Sequence, residues 1–268
     1  MNRDFILLTL GGASFGTAAI FVELCSLTPA ATAFFRFLLA GIILVALKGR
    51  PKYLKKVLPY SLLLGIHMFL FIESVKLTQI IDATVLVSTS PIYVLLLARL
   101  MKVKVYPIDV VAAVMAVIGV TIMNYPLIMG QLIGNLAAIG SAFATAIYTI
   151  LLNRRSWDAE PLVLTSNIYL VASLVILPLT LVQGFGTFNL TSWLAVGGLV
   201  ALPTLVGHST VIYLSKRIRP QVIDTFTLLE PVVATSLAYL IFRQVPNSHQ
   251  LIGSSLVLLS LLVLILKS

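Results

Sequence analysis

Glu230 stands directly before Pro231 inside a long apolar stretch. A charge at the centre of a lipid bilayer costs about 2.5–3.5 kcal/mol on insertion scales, so such a group is a functional candidate. The proline removes a helix-ladder donor and can free a carbonyl beside the carboxylate. Glu230 therefore reads either as a substrate and proton site or as a neutral acid bonded to a neighbouring helix. His67 and His208 lie near the middle of two further apolar stretches. An imidazole there can bind a solute, shuttle a proton or hydrogen-bond across helices. Glu73, further along the stretch that holds His67, projects from a different face. It is either a mouth residue or a partner of Lys76, one helical turn on. Tyr148 and Tyr213 complete the candidate cavity set, while Tyr93 and Tyr239 are expected to pack or to anchor at the interface.

Other polar residues read as structural. Glu23 and Arg36 flank one short turn and are expected to pair there, since a paired charge would pin it. Asp82 and Asp224 open their stretches, where a carboxylate caps free amides and meets the positive end of the helix dipole. Pro91 and Pro231 are expected to break their helices. Gly11, Gly12, Gly16, Gly140, Ser141 and Ala144 suit close helix approach.

Several chemistries find no residues. Every lysine is terminal or in a loop, so none is placed for a Schiff base. Asp82, Asp109 and Asp224 fall at stretch ends, unlike the mid-membrane aspartates of an intramembrane protease. His208 and Ser209 are neighbours, but no hydrolase motif surrounds them. No metal-ligand spacing and no phosphate loop occurs. Neither a metal, a cofactor nor a catalytic residue is expected.

The elements that must carry these residues follow from composition. The chain has 268 residues, 59% of them apolar and only 10% charged, with a mean hydropathy of +1.07. A soluble domain carries about a quarter charged residues, and a disordered chain lacks this apolar surface. About 20 apolar residues make one membrane-spanning helix. The runs are 5–24, 29–47, 57–77, 83–101, 107–125, 131–152, 161–183, 193–215, 221–241 and 248–267. The first is longer than the apolar core of a signal peptide, so it reads as a retained span. The net charge of +9 invites a nucleic-acid reading. Yet the basic residues cluster at span ends, as in Lys48, Arg50, Lys52, Lys55 and Lys56, and leave no basic face. With both termini cytoplasmic, all but three of the 18 basic residues fall on the cytoplasmic side. Lys76 and Arg243 fall opposite and Arg36 falls within a span, as the positive-inside rule expects.

The second half echoes the first. Ser14–Ala18 in span 1 resembles Ala142–Ala146 in span 6. His67, Ser74 and Lys76 return at one constant interval as His208, Ser215 and Arg217, and Pro91 returns as Pro231. Five spans is an odd number, so the second repeat inserts upside down relative to the first. Inverted repeats are a mark of secondary transporters, whose site lies near the midplane between the halves. The expected architecture is an all-α membrane protein of ten spans, with repeats at 1–127 and 128–268.

The start of span 2, Arg36-Phe-Leu-Leu-Ala-Gly41, and Val87-Ser-Thr-Ser-Pro91 in span 4 resemble the drug/metabolite transporter superfamily. So do Glu230-Pro231 and the Leu251-Ile-Gly253 opening of span 10. The sequence is most similar to the superfamily's ten-helix EamA family, which includes amino-acid and metabolite exporters. The resemblance implies a secondary carrier in the cytoplasmic membrane that moves a small organic solute, an amino acid or related metabolite, by alternating access, with export favoured and an importer or sugar-type carrier of the same superfamily as the alternative. It implies a cavity bordered by spans 1, 3, 4, 6, 8 and 9, with spans 5 and 10 peripheral. Membrane lipid, a small-molecule substrate and protons are the expected partners, and nucleic acid is not.

Overall fold

The structure, a computed structural model, describes residues 3–48, 51–78, 80–125, 132–243 and 245–267. Ten helical spans account for nearly all of them. Span 1 is Arg3–Phe15 continued by Ala18–Leu24, span 2 is Pro29–Lys48 and span 3 is Leu58–Leu77. Span 4 is Ile80–Val87 with Ser90–Leu100, and span 5 is Pro107–Met123. Span 6 is Leu132–Arg154 and span 7 is Pro161–Gln183. Span 8 runs from Leu190–Leu199 through Val200–His208 into Ser209–Leu214. Span 9 is Pro220–Thr227 with Leu229–Phe242, and span 10 is Ser248–Lys267. Proline is the first residue of spans 2, 5, 7 and 9 and the second of span 3, where the amide it lacks has no helical partner anyway.

Spans 1, 4 and 9, read from hydropathy as continuous, are each two helices. Hydropathy averages over a window and does not register a single missing hydrogen bond. The breaks in spans 4 and 9 lie at the two prolines. Pro91 and Pro231 sit in the first turn of the second half-helix, and the chain breaks just before them, at Ser88–Thr89 and at Leu228. Each proline therefore begins a helix near the middle of the bundle, leaving a positive dipole end there.

Packing pairs the two repeats rather than separating them. Span 2 lies along span 7, span 3 along span 6, span 5 along span 10, span 1 on span 8, and span 4 against span 9. These pairings are related by the repeat itself: 3 with 6 is the counterpart of 8 with 1. The expected boundary at 127/128 lies outside the described residues.

The two ends of the bundle are stitched in equivalent ways. At the end away from the termini, the span 1–2 turn meets the span 7–8 loop. Leu27 bridges Gly186, Thr28 N donates to Phe185 O at 3.2 Å, and Thr187 N donates to Ser26 O at 3.0 Å. Gly186 has φ +78°, and a Cβ there would meet Ser26 O at 2.7 Å, so only glycine fits. At the end that holds the termini, the span 2–3 loop meets span 7 and the span 6–7 turn. Lys52 N and Tyr53 N both donate to Asn167 Oδ1, at 3.1 and 2.8 Å. Trp157 packs on Tyr53 with ring centroids 5.3 Å apart. Beside it, Lys216 binds the exposed Asp158 carboxylate at 2.6 Å and holds it below the usual carboxylate range.

Asp109 ties the same end together more deeply. It is fully buried in the first turn of span 5, where it accepts from Tyr106 N at 3.0 Å. It also accepts from Arg219 Nη2 at 2.8 Å, Arg219 Nε at 3.1 Å and Gln221 Nε2 at 2.9 Å. One carboxylate thus caps span 5 and fastens the start of span 9.

Spans 5 and 10 meet backbone to backbone. A Cβ on Gly119 would lie 2.8 Å from Gly253 O, and one on Gly253 would strike Gly119 O. Gly253→Leu is therefore expected to lower stability by about 1–3 kcal/mol through overpacking. Gly197→Ala, where nothing lies within 4 Å of the added carbon, should instead raise it by up to about 1 kcal/mol. Thermal melts in detergent check both signs.

Candidate functional site

A central cavity lies where the repeats meet, with an empty volume of about 680 Å³, part of it open to solvent. Spans 1, 2, 3, 4, 6, 8 and 9 line it, and spans 5 and 10 do not. His67, His208, Tyr148 and Glu230, expected at this site, are all in its wall. The two imidazoles face each other with ring centroids 5.9 Å apart. Their equal repeat positions explain this, because a two-fold relation brings equivalent mid-span residues to one axis. His67 Nδ1 lies 2.8 Å from Ser141 Oγ, and that hydroxyl lies 3.0 Å from the His67 carbonyl. His208 packs edge-on against Phe15 at 4.8 Å. Ser141, read as a small packing residue, is thus the residue that orients His67.

Arg36 does not pair with Glu23. It is 1% exposed at the cavity wall, whereas Glu23 is exposed at the end of span 1, its carbonyl accepting from Lys76 Nζ at 3.4 Å. Arg36 lies two turns into span 2, too deep for its side chain to reach back to the turn. Its Nε donates to Thr204 Oγ1 at 2.5 Å and its Nη1 lies 2.9 Å from Met68 Sδ. Thr204 belongs to the Val200–His208 segment of span 8, a π-helical stretch around Pro203. Wider turns displace its carbonyls, and Thr204 O is taken up by Tyr169 Oη at 2.9 Å. Such π-helical segments concentrate at functional sites.

Asp224 is not a helix cap. It lies beyond the first turn of Pro220–Thr227, where amides already have partners. Its side chain is buried at the cavity wall and accepts a hydrogen bond from Ser90 Oγ. That bond joins the break in span 4 to the half-helix before the break in span 9. Asp82, by contrast, is buried in the first turn of Ile80–Val87.

Two expected cavity residues fall elsewhere. Tyr213 is only partly buried and carries the Arg217 guanidinium 4.5 Å above its ring. Glu73 forms no ion pair with Lys76, and its buried Oε2 lacks a hydrogen-bond partner away from the central cavity. Glu73 and Tyr213 sit six and five residues past the histidine of their own span, about one and a half turns of helix, which carries them to a different face. Sequence reasoning missed Arg36, Asp224 and Ser90 as wall residues. The signal available for Arg36 was its depth in a span with no carboxylate at helical spacing.

Three polar atoms at this wall are buried without hydrogen-bond partners: Arg36 Nη2, Tyr148 Oη and Glu230 Oε1. Glu230 stands in the first turn of Leu229–Phe242, where the helix dipole favours a carboxylate. Buried polar groups are nearly always bonded, so three such atoms in one wall mark a place prepared for something polar.

The EamA-like transporter family matches residues 4–125 and again 132–266. The chain belongs to this family. It is 27% identical to an "Uncharacterized transporter" of Archaeoglobus fulgidus over 278 residues, covering 99% of both chains. A second protein of that organism, carrying the same description, is 28% identical over 214 residues and 76% of each chain. A solved structure titled "Crystal structure of protein" shares the fold, with a TM-score of 0.84, 18% identity and coverage of 98% and 96%. The protein is accordingly a membrane transporter built from ten spans in two inverted repeats.

Ser90→Ala leaves the buried Asp224 without its hydroxyl partner, and should cost about 1–3 kcal/mol. Ser90→Ala with Asp224→Leu removes both partners and should recover most of that loss. Comparison of detergent-solubilised melting temperatures checks the pattern.

Proposed function

We propose that the protein is a secondary carrier that moves a small organic solute, an amino acid or related metabolite, by alternating access around the central cavity. Export across the cytoplasmic membrane is the favoured direction. The observation that carries this reading is the partnerless trio, Arg36 Nη2, Tyr148 Oη and Glu230 Oε1, in a wall drawn from both repeats. A solute could satisfy all three at once, near the axis that relates the halves.

Three further parts belong to the same reading. Residues 1–127 and 128–268 act as the two units, which the two separate family matches support. Both termini face the cytoplasm, which the basic residues favour through the positive-inside rule. Protons are the coupling ion, exchanged at Glu230 with help from His67 and His208. A proton can drive transport if the protonated and solute-loaded protein prefer different orientations, since only differential binding shifts an equilibrium.

Glu230→Gln tests the proton role, because the amide keeps size and hydrogen bonding but cannot ionise. In proteoliposomes with a radiolabelled L-amino acid mixture, a pH gradient should drive uptake by the wild type and not by the variant. Exchange without a gradient should persist in the variant at a reduced rate, because the amide oxygen still accepts a hydrogen bond while the charge is lost. Unchanged dependence on the gradient would make Glu230 structural.

A further inference from the structure

Arg36 is an unusual object in a membrane-embedded bundle. A guanidinium keeps its charge at any physiological pH, and a buried charge is normally paired. Among the described residues no carboxylate comes within ion-pair distance of it. Its contacts are one hydroxyl, on Thr204, and one thioether, on Met68. The thioether is a weak acceptor. Both N–H donors of Nη2 are left over, buried at the cavity wall. The groups that feel its charge are Tyr169 and Glu230, together with the two imidazoles.

The other pole of the cavity is on span 9. Asp224 uses Oδ2 to accept from Ser90, and Glu230 leaves Oε1 without a partner. The same wall carries apolar side chains, among them Phe15, Met68, Phe71, Val211 and Leu228, beside the two imidazoles and Tyr148. Such a site offers one fixed cation, two carboxylates and hydrophobic sides. Arginine binds a carboxylate through parallel N–H donors, which a point charge such as lysine does not reproduce.

We infer that Arg36 receives the carboxylate of the transported solute on its free Nη2 edge, while Asp224 and Glu230 hold a cationic group, so that the site selects small zwitterions. This rests on the carrier reading above and adds the recognition chemistry to it. Solute binding would supply the counter-charge that Arg36 lacks in the protein alone. The anionic end and Arg36 also explain why span 2, otherwise a packing helix against span 7, contributes to the wall.

The test is counterflow in proteoliposomes with three radiolabelled probes: an L-amino acid mixture, the matching amino-acid amides, and the matching carboxylic acids without the amine. Wild type should exchange the amino acids and neither analogue set. Arg36→Lys should reduce the preference for acid over amide by about tenfold or more, through loss of the paired donors. Arg36→Gln should abolish that preference. The ratio within one preparation does not depend on how much protein folds, so a poorly folding Arg36→Gln leaves Arg36→Lys to decide. Equal exchange of acids and amides by the wild type overturns the Arg36 assignment while the carrier reading stands. Equal exchange of the amine-free acids overturns the assignment of the solute's cationic group to Asp224 and Glu230. Exchange of none of the probes by folded protein overturns the amino-acid carrier reading itself.

Discussion

A permanent charge at the centre of a hydrocarbon-clad bundle sets the terms for this protein. Arg36 cannot become neutral as a buried lysine does by losing a proton or a carboxylate by gaining one, so the fold must surround it with dipoles. Thr204 supplies one, and it is available because span 8 winds more widely around Pro203. The displaced carbonyl of Thr204 is in turn taken by Tyr169 on span 7, which stacks on Phe37 of span 2. Spans 2, 7 and 8 are thus bound to one another through the surroundings of one side chain. A transmembrane helix tolerates such irregular backbone only where it lines a cavity or is buried in protein, and here it does both.

The second constraint is the repeat. Because the halves are inverted, a residue near mid-span in one half meets its equivalent across the axis. His67 and His208 show this directly. The broken spans 4 and 9 follow the same rule, each opening a new helix at a proline near the middle of the bundle. The stitches at the two ends are equivalent as well, loop 1–2 to loop 7–8 and loop 2–3 to turn 6–7. On the proposed mechanism this equivalence lets either end open while the other stays closed, with little change in the energy of the contacts exchanged.

Much of this was legible in the amino-acid sequence. Ten apolar runs, basic residues at their ends and the recurrence of His67 at His208 were sufficient for the architecture and part of the wall. What escaped depended on depth and direction rather than residue type. Arg36 and Glu23 read as partners because they flank one turn, although a helix carries Arg36 two turns inward. Asp224 read as a cap because it lies near a span start, although capping serves only the first turn. Tyr213 and Glu73 have the right chemistry on the wrong faces. The breaks in spans 1, 4 and 9 were hidden because a missing hydrogen bond leaves hydropathy unchanged.

The central claim is that the cavity between the repeats is reached from both sides of the membrane in turn. Thr227, partly exposed in the cavity wall, reports on this directly as Thr227→Cys in a protein whose buried Cys25 has been replaced by alanine. A membrane-impermeant thiol reagent is applied to sealed vesicles of each orientation. The account predicts modification from both sides, slowed from both sides by an L-amino acid mixture. Modification from one side only, whatever solutes and pH gradients are imposed, would contradict it.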